Sequence, residues 1–467
     1  MIKLVLAIIL AGLVREALVA PTIDLQLMNT LRQGHTANIL ITLKESSGPT
    51  LNQIKDLKFQ NRGQKLYEAA EALKSFTANS QKNVLQLLSQ YQQTNSLKIN
   101  TFWITNQIGV KGVDLQIVQD LGKFAEISKI EEEFFIAIDS PIDLTVIDNL
   151  QDNEEEFQWG VEQIQAPQVW SSGNKGEGII VGTVDTGVRY THEALRGNFA
   201  GEYGWFDPTV GILTPYDPNG HGTHTTANIV GRARNEGVAP GAQWTSCKGC
   251  SMQQCSQIDL ISCGHFMACP TLANGSYANC EKAPQVVSNS WSGNQAYLWY
   301  YDIIEYYHFV GIIPVFSIGN SGPACGTANS PGDYDNVIGV GATTIDNKLL
   351  NFSSVGPAAI ASKIKPDVAA PGAKIFSAWH TSDSAYATLS GTSMACPHVA
   401  GVVALLLAEH PNMNYNQVKG ALQGGSVPTA GTGKDCGKIP EGTYPNHHVG
   451  YGRINALNSI RAARAML

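Results

Sequence analysis

Beyond residue 157, short unbroken apolar runs alternate with longer segments of helical period. Gly178-Ile-Ile-Val-Gly-Thr-Val184, Gln285-Val286-Val287-Ser288, Gly311-Ile-Ile-Pro-Val-Phe316 and Asn336-Val-Ile-Gly-Val340 are continuous and rich in β-branched residues. That texture fits strands buried on both faces, as in a parallel sheet. Helical candidates fall between or after them, over 223–231, 256–267, 296–309 and 393–409. The alternation predicts βαβ units and an α/β fold, a doubly wound, mostly parallel sheet with helices on both faces. Such sheets carry their sites at the carboxyl ends of the strands.

The first 156 residues read differently. Ala37–Leu43 and Phe134–Ile138 look like strands, and the stretches 63–76 and 81–91 have helical period with interleaved charges. An acidic run, Asp152-Asn153-Glu154-Glu155-Glu156, follows. A charge run is a solvated face by default, but the composition changes at the same point. Residues 1–156 hold 14 basic and 19 acidic side chains, and the longer remainder only 17 and 20. A domain boundary near residue 150 is therefore expected, with a small α+β module over 21–150 and a larger domain over 151–467. The net charge of −8 offers no basic footprint for nucleic acid.

Lys3, the apolar run Leu4 to Val14 and the small residue Ala20 have the layout of a secretory signal over residues 1–20. Six of the nine cysteines crowd between Cys247 and Cys280. Cys247-Lys-Gly-Cys250 has no second CxxC at zinc-ribbon spacing, so disulfides in a secreted protein are the better reading. Nine is odd, which leaves at least one thiol free if nothing pairs between molecules. Asn274-Gly-Ser276 and Asn351-Phe-Ser353 are acceptor tripeptides for glycans if the host secretes through an ER.

Three polar residues sit where the sheet would present them. Asp185 ends the first strand in Val184-Asp185-Thr186-Gly187. An aspartic protease needs two such carboxylates, and no second Asp-Thr-Gly or Asp-Ser-Gly occurs. A turn aspartate explains Asp185 equally well by itself. His221 lies in Asn219-Gly220-His221-Gly222-Thr223-His224 at a helix start, where flanking glycines would leave its ring exposed. The glutamate of a metalloprotease HExxH is missing, and His224 falls one turn inside as a packing residue. Ser393 lies in Gly391-Thr392-Ser393-Met394-Ala395 before a long apolar helix. Serine is a common cap there. The same position suits a nucleophile, because helix N–H groups stabilise developing negative charge. Gly391-x-Ser393-x-Ala395 nearly matches an α/β-hydrolase elbow, but those enzymes run serine, acid, histidine, whereas this chain runs Asp185, His221, Ser393.

With Val184-Asp185-Thr186-Gly187-Val188, Asn219-Gly-His221-Gly-Thr-His224-Thr, Gly237-Val-Ala-Pro-Gly241, Ser317-Ile-Gly319-Asn320-Ser-Gly-Pro323, Ser330-Pro-Gly-Asp-Tyr334 and Gly391-Thr-Ser393-Met-Ala-Cys-Pro-His398 in that order, the chain resembles the subtilisin-like serine proteases, and within them the bacillopeptidase F group. The likeness runs from Trp159 to near Arg453. It implies a secreted serine endopeptidase in which Ser393 attacks the scissile carbonyl, His221 moves the proton and Asp185 holds the imidazole. Asn320 matches the family's oxyanion-hole asparagine; seen bare it would be a turn residue. Ser290-Trp291-Ser292 and Ser317-Ile318-Gly319 match the backbone segments that pair with an extended peptide and wall the S1 pocket. Ser292 departs from the glycine of many relatives, and Cys396 from their small residue. Cys396 is read as the odd, buried thiol.

The resemblance also implies that Ala37–Leu43 and the stretch 121–139 open and close an inhibitory propeptide. Such a propeptide is an intramolecular inhibitor and folding assistant, removed by self-cleavage between about residues 139 and 157. Polypeptide substrates, no nucleic acid, no membrane anchor and a monomer are expected. No cofactor is expected for catalysis; structural calcium is common in the family, but no ligand spacing here assigns one. A secreted Cys-rich binding protein and a catalytically silent family member are the rival readings.

Overall fold

The computed structural model describes residues 20–138, 142–147, 158–360, 363–431, 435–440 and 442–467. Residues 1–19 of the expected signal, the acidic run 152–156 and most of the expected cleavage region lie outside the described residues. The chain forms two compact units, residues up to 50 with 72–133, and residues 51–71 with 134–467.

The first unit is an α+β sandwich. Its five-stranded sheet runs in the order Thr22–Ile23, Ile127–Glu132, Ala37–Leu43, Gln107–Val113, Lys98–Phe102, and is antiparallel except at the first pair. Ile39, Ile41, Val110 and Ile130 meet Leu27 and Leu31 of helix Leu25–Arg32, Val84 and Leu88 of helix Lys82–Gln92, and Ile117 and Val118 of helix Leu115–Leu121. The sequence pattern had marked only one of these five strands. The others were obscured because their outward faces carry Lys, Gln, Asn and Thr and their runs are short.

The second unit is built on seven strands, all parallel, in the order Val368–Pro371, Ile338–Thr343, Ile313–Ser317, Val286–Asn289, Ile180–Asp185, Gln243–Lys248, Trp205–Phe206. The four runs read from the sequence are four of these strands. After Ile180–Asp185 the chain adds strands on one side and then returns to add Val286–Asn289 on the other, which makes a topological switch point between these two strands. Helix Thr392–Glu409 lies in the main core with Val181, Val286, Val315 and Val340. It is long and apolar enough to cross a membrane, but almost all of it is buried within the fold.

The helix expected over 296–309 starts later, at Tyr301–Val310. Ala296 has φ +59°, Ala296 N–H donates to Asp333 Oδ2 (3.2 Å), and Tyr297 N–H donates to Ser330 Oγ (3.0 Å). These partners hold the segment as a loop.

Glu236 is buried behind the sheet, where its Oε2 accepts from Ala378 N–H at 2.8 Å, and burial pushes its pKa up to about 8. Below about pH 4.5 both folded and unfolded chains are protonated there, so the stability is fully present. As pH rises the unfolded carboxyl ionises first, and stability falls until the folded carboxyl also ionises near 8. Glu236→Gln keeps an oxygen for Ala378 and cannot ionise. Its melting temperature is therefore expected to gain on the native chain steadily from pH 5 to pH 8, by calorimetry; a difference independent of pH would contradict this.

Candidate active site

Asp185, Ser290 and Ser317 follow one another across the sheet, because Val184, Asn289 and Phe316 are register partners on neighbouring strands. They mark the carboxyl ends on either side of the switch point. Against Asp185 stands His221, the first residue of helix His221–Val230. His221 Nδ1–H donates to Asp185 Oδ1 at 2.8 Å, with side-chain exposures of 2% and 5%. Asp185 also accepts from Thr186 N–H (2.7 Å) and Thr225 Oγ1 (3.2 Å). As the acceptor of this bond, Asp185 orients the ring and keeps a ring proton on Nδ1.

The sequence suggested an exposed ring between glycines. The glycines act otherwise: they let the helix start close against the Asp185 strand. A Cβ on Gly222 would stand 2.1 Å from the Gly187 carbonyl oxygen. Gly220 takes φ +103°, and a Cβ there would meet Trp379 and His380 at 2.6–2.7 Å.

Asp217, which the sequence reading passed over, braces this corner. Its Oδ1 accepts from Thr186 Oγ1 (2.9 Å), Asn219 N–H (3.0 Å) and Gly220 N–H (2.9 Å); its Oδ2 accepts from Thr223 N–H (2.9 Å) and Oγ1 (2.7 Å). Thr186 Oγ1 in turn accepts from Gly222 N–H at 2.9 Å. One carboxylate thus ties the end of the Asp185 strand to the start of the His221 helix. The signal was present in Asp217-Pro-Asn-Gly, a side chain that bonds its own backbone two residues on.

Ser393 is the second residue of helix Thr392–Glu409, and its Oγ–H donates to the Ser290 carbonyl at 3.3 Å. Pro397, inside the helix, has no N–H to offer the Ser393 carbonyl four residues back. That carbonyl accepts instead from Ser290 Oγ at 2.9 Å. The proline in the motif therefore frees the contact that fixes Ser393 to the neighbouring strand end.

Asn320 Oδ1 accepts from Thr392 N–H (3.0 Å) and Thr392 Oγ1 (2.9 Å). These two bonds settle the amide orientation and turn Nδ2 toward Gly391, 3.6 Å from where a Cβ would stand.

The expected pocket walls contribute mainly backbone. The Trp291 and Ile318 side chains are buried, Trp291 among Trp299, Tyr300 and Phe316. Ser292 is buried at the end of its segment. Of the second segment, Ser317 is buried and the Gly319 carbonyl already accepts from Ser354 N–H at 2.9 Å. A further strand, Gln254–Ser256, carried no signal in the sequence. It pairs antiparallel with Phe135–Ala137, Cys255 opposite Ile136. At three residues between cysteines it carries no legible period.

His224 is buried, its Nε2–H donating to Ile375 O (3.0 Å) and Ala387 O (3.2 Å), and burial brings its pKa down to about 3. It packs. The cysteines pair as Cys247–Cys263, Cys250–Cys255, Cys269–Cys280 and Cys325–Cys436, leaving Cys396 buried and free. Burial pushes the Cys396 thiol up to about 12, too high for a nucleophile at neutral pH. Among the described residues no three His, Cys, Asp or Glu gather as a metal would need, so no calcium ligands are assigned.

The subtilase family profile matches residues 176–452, which include Asp185, His221, Asn320 and Ser393. The chain belongs to the subtilase family. This subtilase is a serine-type endopeptidase, a hydrolase. It is 31% identical to bacillopeptidase F of Bacillus subtilis (strain 168) over 430 residues, 85% of this chain but 29% of that protein. It is 33% identical over 304 residues to thermitase of Thermoactinomyces vulgaris, 65% of this chain and 96% of that one. Over 267 residues it is 30% identical to subtilisin DY of Bacillus licheniformis, 56% and 89% of the two chains.

Proposed function

We propose that this subtilase is made as a secreted, self-processing zymogen that cleaves polypeptides through Asp185, His221 and Ser393. The observation that carries the assignment is the buried Asp185–His221 hydrogen bond of 2.8 Å beside the strand end that holds Ser393. In the reaction the Ser393 hydroxyl leaves the Ser290 carbonyl, passes its proton to His221 Nε2 and attacks the substrate carbonyl. Asp185 stabilises the imidazolium without taking the proton. The proton then goes to the leaving amine, and water repeats the sequence to release the acyl group.

The Asn320 amide, held by Thr392, donates to the oxyanion together with the Ser393 backbone N–H. Asn320→Ala is expected to lower kcat by about 10²–10³ with little change in KM. Steady-state kinetics on a peptide amide checks this, and an unchanged kcat would remove Asn320 from the site.

The zymogen reading is supported by the strand Phe135–Ala137, which lies on Gln254–Ser256 as an extended substrate would. Arg62 adds a second hold on the same unit, donating to the carbonyls of Ala283 (3.0 Å) and Pro284 (2.6 Å). Expression of the native chain beside Ser393→Ala tests this reading. The native precursor is expected to shorten near residue 150 and the variant to stay whole; equal shortening of both would contradict self-processing.

A further inference from the structure

The segment that lies on Gln254–Ser256 presents its side chains alternately. Ile136 is buried, and Gly293 makes room for it: a Cβ there would stand 3.2 Å from Ile136 Cδ1. Phe135 points away and is 49% exposed. Phe134 turns back to the same side as Ile136, and Gln257 N–H holds its carbonyl at 3.1 Å. There its ring meets Tyr297 (centroids 5.1 Å) and the edge of Trp299 (5.3 Å, planes at 85°). The bond from Ile138 N–H to Gln253 O, at 3.2 Å, extends the register at the other end.

The two rings that receive Phe134 are held independently of it. Tyr297 N–H donates to Ser330 Oγ, and the Tyr297 carbonyl accepts from Tyr334 Oη. Trp299 is backed by Tyr300 at 5.0 Å and Trp291 at 6.0 Å. An apolar pair fixed in this way keeps its shape when its occupant leaves, and then exposes surface that water solvates poorly. Edge-to-face and tilted ring contacts favour an aromatic over an aliphatic occupant.

We infer that Tyr297 and Trp299 form an aromatic-selective subsite for extended polypeptide substrates, two residues N-terminal to the position opposite Cys255. The inference rests on the reading that Phe135–Ala137 occupies the substrate's path. The subsite takes a Phe, Tyr or Trp side chain. It lies remote from the scissile bond, so it sorts substrates by a residue that takes no part in the chemistry. Phe134 is the chain's own first occupant.

Two quenched fluorescent peptides test it on the processed enzyme obtained by expressing the full chain. Both carry residues 132–143 of this chain with Thr in place of Phe135, so that no second ring can reach the cradle by a slip in register. One keeps Phe134 and the other has Ala there, and mass spectrometry fixes the cleavage point. A kcat/KM ratio of about tenfold or more in favour of the Phe peptide is expected. That ratio should fall toward one in Tyr297→Ala and in Trp299→Ala and persist in Trp299→Phe. It is taken within each preparation, so any loss of folded enzyme cancels. A ratio near one in the native enzyme, or an undiminished ratio in both alanine variants, overturns the subsite. If denatured casein is cut and neither peptide is, the subsite is also overturned. If casein itself survives, the protease reading fails instead.

Discussion

Replacing Ser393 by Ala is expected to lower kcat on a peptide amide by about 10⁶, while KM changes little. In the proposed mechanism Ser393 supplies the attacking oxygen, and the nearest thiol on its helix is a poor substitute. Cys396, one turn further along the same helix, is buried with its thiol pushed up to about 12, and it contacts Ser288 Oγ and the Asn289 carbonyl. What remains in the variant is water attack assisted by the oxyanion donors and by substrate positioning, worth about 10³–10⁴ over solution. The Ser290 Oγ bond to the Ser393 backbone carbonyl does not involve the missing hydroxyl. The variant should therefore fold, and binding of a peptide inhibitor should survive. A fall of less than tenfold would mean that another nucleophile does the work.

Asp185→Asn should cost about 10⁴ in kcat. The substitution is nearly isosteric, and the surroundings accommodate an amide. Its oxygen can still accept from His221 Nδ1–H and Thr186 N–H, while its nitrogen faces the Thr225 hydroxyl, which can accept. The ring thus keeps its place and the change isolates the charge. In the proposed mechanism this carboxylate lowers the cost of forming imidazolium. Kinetics at saturating substrate read the loss, and near-native kcat would mean that Asp185 merely positions the ring.

Much of this was legible in the sequence because it is local. Four of the seven strands of the parallel sheet announce themselves as unbroken β-branched runs, since both of their faces are buried. Asp185, His221 and Ser393 stood out through the small residues around them, whose role the structure makes concrete at Gly220 and Gly222. What the sequence hid is non-local. Asp217 matters through Thr186, which is 31 positions away. Strand Gln254–Ser256 is defined by its partner at 135–137 rather than by its own three residues. Tyr297 and Trp299 fell inside a stretch with helical period, and distant anchors such as Ser330, Asp333 and Tyr334 hold it as the loop that presents both rings. Pairing within the cysteine cluster was likewise beyond sequence, because spacing alone does not choose among connectivities.

The most direct test of the central assignment is to react the processed native enzyme with a fluorophosphonate and map the adduct by peptide mass spectrometry. A single adduct on Ser393, absent from His221→Ala, is the expected result. Stoichiometric modification at any other residue, or full hydrolytic activity in enzyme that carries the Ser393 adduct, would contradict it.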